Sequence, residues 1–138
     1  MLTIGDLSRR TGVKVPTIRY YEQMGLLAAA ERSDGNQRRY GKPERERLSF
    51  IKHARDLGLT IDSIRELIDL SSHPDQPCAQ ADRIAAEQLV SVREKIAKLK
   101  RLEHELERIS GHCDGEHSIR DCYVIRALAN HDLCDGEH

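Results

Sequence analysis

Between Ala79 and Ser110 lie 32 consecutive residues without a Gly or a Pro. Apolar side chains recur there at Ala85, Leu89, Val92, Ile96, Leu99, Leu106 and Ile109, in steps of four and three. One irregularity interrupts the pattern, where Leu102 stands next to the expected position, which Glu103 holds. Lys, Arg and Glu fill the other faces. Steps of four and three return to one face of a helix every two turns, so the segment specifies one long helix with a narrow apolar seam that wants a partner helix. One helix of a bundle would show the same spacing. No other segment of the 138 residues is long enough to cover this one, so the expectation is self-association through Leu89, Val92, Ile96, Leu99 and Leu106. Composition points the same way. Aromatic residues are 4 % of the chain and Trp is absent, too little bulk for a large isolated core. A dimer would bury what one chain cannot.

The residues ahead of this helix have a different character. Residues 1–55 carry 12 Lys and Arg against 6 Asp and Glu, a charge of +6, whereas residues 56–138 carry −7. A basic half beside an acidic one suggests that one half meets a polyanion. Thr3 reads as a helix cap with Asp6 as its third-position acid, and Gly12 ends that helix. A second short helix follows from Val15 to Gly25, with Pro16 in its first turn. Two short helices joined by a tight turn form a helix-turn-helix pattern. Ser33-Asp34-Gly35-Asn36, flanked by Arg32 and by Arg38, Arg39 and Tyr40, reads as a small β-hairpin, a wing with its tip at Asp34–Gly35. Pro43 opens a third helix carrying Leu48, Ile51 and Ala54 on one face. Thr60 caps a fourth, through Leu70, with Ile61, Ile64, Leu67 and Ile68 as its stripe. The organisation expected is therefore a head at 1–70, a linker at 71–78, the long helix at 79–110 and a loop, short helix and tail at 111–138. No apolar run approaches the ~20 residues of a membrane span, and the N-terminus has no secretory pattern, so a cytoplasmic protein without membrane contact is expected.

Cysteines inside a cell are more often thiols or metal ligands than disulfides. Cys113 and Cys122 flank a Gly-containing loop that also holds His112 and His117. Cys78 sits at the other end of the long helix. In an antiparallel pair of such helices the start of one lies beside the end of the other. Cys78 of one chain then approaches Cys113 and Cys122 of its partner, with His117 or His112 as a fourth donor. Thiolate and imidazole suit zinc, cadmium, lead and mercury, and a third thiolate favours a divalent over a monovalent ion. The pentapeptide CDGEH occurs at Cys113–His117 and again at Cys134–His138, with His131 near the second copy. That copy reads as an auxiliary metal-binding tail, as a chance echo or as a solvated terminus. No catalytic constellation is present, and enzyme activity is not expected.

The segments IGDLSRRTGVKVPTIRYYEQMGLL and RSDGNQRRY, with a long helix ending in a Cys-bearing loop, resemble the MerR family of metal-responsive bacterial transcription regulators. Cys78, Cys113 and Cys122 resemble the branch that senses zinc, cadmium and lead. The His117-Ser118…Cys122 spacing is closer to the zinc sensors, so zinc comes first among the three. Two departures stand out: Gln37 where the wing usually has an aromatic residue, and His112 where zinc sensors often have a second Cys. The resemblance implies an all-α fold with a small β wing, in which winged helix-turn-helix heads are joined by an antiparallel coiled coil ending in metal-binding loops. It also implies a homodimer on promoter DNA whose spacer is too long for RNA polymerase, realigned when metal distorts the duplex.

On such a fold the second helix enters the major groove. Lys14 and Thr17 stand near its N-terminus, where base edges are reached. Arg19 is placed to read guanine or to hold a phosphate. Tyr20, Tyr21, Arg38 and Tyr40 are expected on the DNA backbone, with Arg32 on the wing beside them, and Tyr21 reads equally as the core aromatic of the small head. A metal-buffering or metal-delivery protein with an incidental basic head is the alternative function.

Overall fold

The computed structural model describes residues 1–28, 31, 32, 35 and 38–130. The described chain divides into two compact units, Met1–Ala85 and Ala86–His138. The boundary falls inside the long helix, later than the linker at 71–78 suggested. The cause is Ile84, which is buried in the core of the first unit and ties the opening turns of that helix to it.

In the first unit, α1 (Ile4–Thr11) starts as the sequence specifies. The Thr3 hydroxyl accepts the Asp6 N–H at 3.1 Å, and the Asp6 carboxylate accepts the Thr3 N–H at 3.4 Å. These reciprocal bonds satisfy two donors that a helix start leaves orphaned. Gly12 ends α1 at φ +76°, where its N–H returns to the Ser8 carbonyl, a backbone shape that glycine adopts without steric cost. Helix α2 (Val15–Gln23) follows after three residues, and α1 and α2 pack together. The wing is present as two short antiparallel strands, β1 (Glu31–Arg32) and β2 (Arg38–Arg39), paired Glu31 to Arg39 and Arg32 to Arg38. Of its expected tip only Gly35 is among the described residues; Asp34 and Gln37 lie outside them. An isolated bridge from Leu2 to Tyr40 then fastens the end of the wing to the N-terminus.

Helices α3 (Lys42–Asp56) and α4 (Ile61–Ser71) close the unit, the latter capped by the Thr60 hydroxyl on the Ser63 N–H at 3.1 Å. Leu7, Ile18, Leu26, Tyr40, Leu48, Ile51 and Ile64 are fully buried at the centre, one or two from each of the four helices and two, Leu26 and Tyr40, from the segments between them. The core is small and mostly aliphatic, with Tyr21 and Tyr40 as its aromatics.

Helix α5 (Ala79–Ile109) runs unbroken for 31 residues, about 46 Å at 1.5 Å per residue. Its seam is solvent-facing in the single chain: Leu89 is 48 %, Ile96 45 %, Leu99 63 % and Leu106 65 % exposed, and Val92 is half-buried. In the second unit a loop leads from α5 through a single 3₁₀ turn (Ile119–Asp121) to a short helix, α6 (Tyr123–Ala129). Among the described residues no helix is long and apolar enough to cross a membrane.

Candidate nucleic-acid face and candidate metal centre

Helix α2 has two faces. Ile18 and Tyr21, three residues apart, point into the core. Lys14, which precedes the first turn, and Arg19 and Tyr20 are exposed, and Thr17 is half-buried. The Tyr20 and Tyr21 rings lie 6.0 Å apart between centroids, tilted by 53°. Tyr20 is thus the surface aromatic of the pair, whereas Tyr21, read as a DNA-backbone contact or as the core aromatic, is buried in the core and not available to DNA. The far end of α2 is held from α4, where Arg65 donates to the Met24 carbonyl at 2.8 Å. A cation at a helix C-terminus also opposes the helix dipole favourably.

Tyr40 requires a correction. Expected on the DNA backbone, it is fully buried, and its hydroxyl donates to the Glu22 carboxylate. A phenol with no accessible surface has no phosphate to meet. Its work is to fix the wing-to-α3 passage against α2. Glu22 and Arg65 were not singled out from the sequence, because both act through partners 18 and 41 residues away. Arg32 and Arg38 lie on the paired strands of the wing.

In the second unit, His112, Cys113, His117 and Cys122 line one hollow of about 150 Å³. Four of the five expected metal ligands are thus gathered around it. Cys78 belongs to the first unit, is exposed, and borders a hollow of about 280 Å³ with Phe50, Leu67, Leu70 and Pro77. Among the described residues no three His, Cys, Asp or Glu side chains converge closely enough to hold an ion by themselves. His131, Cys134 and His138 lie outside the described residues.

The first CDGEH segment is organised from within. Asp114 Oδ1 accepts the Glu116 N–H and His117 Nδ1, both at 2.9 Å. These two bonds, the backbone one first, hold the Asp114 carboxyl below its ordinary range. A carboxylate only accepts, so His117 Nδ1 carries a proton, which in the neutral ring leaves the lone pair on Nε2. A carboxylate that orients an imidazole with its other nitrogen free is the outer-shell arrangement of metal-binding histidines. The Gly115 N–H points at Cys113 Sγ from 3.3 Å, made possible by a φ of +82° at Gly115. Cys122 stands one residue ahead of α6, half-buried. The donors present, thiols and an oriented imidazole, fit a borderline or soft divalent ion.

His112 is engaged differently. Its Nε2 lies 2.7 Å from the Arg108 carbonyl, which only accepts, so Nε2 is protonated. Its ring lies 4.1 Å from that of Tyr123, tilted by 34°. The Tyr123 hydroxyl accepts from Arg108 at 2.9 Å, and Arg108 pairs with the buried Glu105 at 3.0 Å. The spacing of Glu105 and Arg108 was visible in sequence, but Tyr123 lies 15 residues further on.

Comparison with known proteins adds a second line of observation. Residues 2–71 match the family described as "MerR HTH family regulatory protein", and residues 45–109 match "MerR, DNA binding". The "Heavy metal-dependent transcription regulator 2" of Rhizobium meliloti (strain 1021) is 34 % identical over 129 residues, covering 94 % of this chain and 87 % of that protein. The "HTH-type transcriptional regulator ZntR" of Escherichia coli (strain K12) is 36 % identical over 130 residues, covering 93 % and 92 %. Among solved structures, the transcription regulator PbrR691 from Ralstonia metallidurans CH34, in complex with lead(II), superposes with a TM-score of 0.77. It is 34 % identical, and the match covers 93 % of this chain and 99 % of that one.

Proposed function

The chain belongs to the MerR family of helix-turn-helix regulators, and from that premise we propose that it is a homodimeric, metal-responsive transcriptional activator of metal-efflux genes. The observation that carries the metal reading is the loop. Asp114 holds His117 with Nε2 free, beside Cys113 and Cys122, in one hollow. Relatives named for heavy metals and a structural neighbour that holds lead(II) support the same reading. Zinc is the first choice of effector, with cadmium and lead as alternatives.

The length of α5 dictates the rest. In sequence, a continuous helix of 31 residues, itself about 46 Å long, stands between Cys78 and the loop that follows it. The apolar seam on that helix wants a second copy. Antiparallel pairing brings Cys78 of the partner subunit toward Cys113, Cys122 and His117, completing a set that one chain leaves incomplete. Closure of those four groups draws the loop against the neighbouring head. The exposed face of α2, with Lys14, Thr17, Arg19 and Tyr20, engages promoter DNA, flanked by Arg32 and Arg38 on the wing. A change in the angle between two heads then deforms the duplex and offers RNA polymerase a realigned promoter. Deforming a 20–30 bp site costs roughly 1–6 kcal/mol, and a coupling of ~1–3 kcal/mol between metal and DNA is of the size needed to bias it. Metal buffering without specific DNA binding would leave the whole of 2–71, a regulator's head, without a task.

The test is transcription from the cognate promoter across a panel of metals, with wild type and with Cys78→Ser, Cys113→Ser and Cys122→Ser. Loss of induction in all three, with DNA binding kept, is the expected result. Retained induction in the three variants would remove the site.

A further inference from the structure

Resting on the metal reading above, we infer that His112 is a positioning residue rather than a ligand. With Tyr123, Arg108 and Glu105 it forms a clasp that closes the metal loop before any ion arrives.

The two candidate thiols each sit one residue inside a clasp member. His112 precedes Cys113, and Tyr123 follows Cys122. The two rings that flank the loop meet at 4.1 Å. Their contact fixes the two ends of the intervening segment next to each other, so the entropy of closing that loop is spent in folding and not in binding. Both rings are in turn anchored to the last turn of α5. His112 Nε2 donates to the Arg108 carbonyl at 2.7 Å, and the Arg108 guanidinium donates to the Tyr123 hydroxyl at 2.9 Å. Glu105 is 4 % exposed, and a buried carboxylate needs a paired cation; Arg108, at 3.0 Å, supplies it and is thereby held in its aim at Tyr123. The ring is closed: Glu105 to Arg108, Arg108 to Tyr123, Tyr123 to His112, and His112 back to the Arg108 backbone.

His117 shows the contrasting geometry. Its bonded nitrogen faces a carboxylate of its own turn, and its Nε2 is left for an ion. The two histidines of the loop thus divide the labour, one anchoring and one ligating.

The experiment is cobalt(II) titration of the full-length protein, followed by thiolate charge-transfer and ligand-field absorption, with helix content checked by circular dichroism. Wild type is compared with His112→Phe, His112→Ala, Tyr123→Phe and His117→Ala. Phe keeps the ring contact with Tyr123 and removes every nitrogen, the anchor to the Arg108 carbonyl included. A positioning role predicts that His112→Phe keeps the wild-type spectrum and an affinity within about threefold. His112→Ala, with the same spectrum, should bind ~10-fold more weakly, the lower end of what loss of an outer-shell partner costs. Tyr123→Phe, which loses only the bond to Arg108, should fall between them. His117→Ala should shift the ligand-field bands. A changed spectrum and equal weakening in His112→Phe and His112→Ala would make His112 a ligand and overturn the clasp. Wild-type affinity in His112→Ala would also overturn it. Absence of any thiolate band in wild type would instead bring down the metal reading on which the clasp rests.

Discussion

At the scale of the residue, hydrogen bonds between near neighbours decide both the start of the fold and the shape of the loop. Asp6, half-buried, and Asp114, exposed, are carboxylates doing similar work on different backbones. Hydrogen bonds from Thr3, its side chain first, and then the contact with Arg9 hold the Asp6 carboxyl below its ordinary value of 3.8. A group whose folded pKa is depressed adds stability that is fully present above the unfolded pKa. That stability is lost as pH falls through the folded value. Asp6→Asn should therefore lower the melting temperature at neutral pH. The gap between wild type and variant should shrink below about pH 4 and vanish once the native carboxyl is protonated. Melting curves from pH 7 to pH 2 test this, and a gap independent of pH would mean that the ionised form of Asp6 contributes nothing. The loop has its own residue-scale requirement at Gly115. At φ +82° any side chain is strained whether or not there is space for it, and space there is. Gly115→Ala should cost the loop roughly 1–2 kcal/mol. It should also weaken metal binding through the lost N–H contact to Cys113, as a competition titration would show.

At the scale of the element, α5 is where sequence and structure agree most fully. Its ends follow from the absence of Gly and Pro and from a run of good helix formers, all local properties. The same holds for the Thr3 cap, the Gly12 stop and the Thr60 cap. The central role of Tyr40 was not legible. Nothing in RRY reveals that Tyr40 bridges to Leu2 and meets Glu22, because those partners lie 38 and 18 residues away. The Arg108–Tyr123 bond escaped for the same reason, whereas the Cys and His of the loop announced themselves by chemistry. For α5 the test is its seam. Ile96, 45 % exposed and midway along the helix, should face a partner. Ile96→Lys places a charge in that seam and should convert dimer to monomer at micromolar concentration, read as halved mass in sedimentation, with the head still folded. Ile51→Ala belongs to the other unit. It removes a fully buried side chain of α3 and should destabilise the head by about 2–5 kcal/mol in urea, without touching self-association.

At the scale of the whole molecule, the two units must influence each other if metal is to regulate transcription, and linkage makes that influence measurable from either side. If loading the loop changes the affinity for promoter DNA by some factor, binding promoter DNA must change the affinity for metal by the same factor. A metal that serves to re-angle the heads, and not to recruit them, needs only a modest factor at equilibrium, because the bound duplex absorbs the strain. Cadmium affinity measured with and without promoter duplex, and duplex affinity measured with and without cadmium, should therefore give matching ratios, of ~5–150-fold or below. Arg19→Ala, on the exposed face of α2, should weaken duplex binding and flatten its dependence on salt, since one cation fewer displaces counterions. Its cadmium affinity in the absence of DNA should stay at the wild-type value. Cys122→Ser should do the reverse, losing metal while keeping the duplex and its salt slope. A variant pair in which each change disturbs both affinities equally would mean that the head and loop are not separable stations. The division of labour between the basic half and the thiol-bearing half would then fail, whatever each half binds.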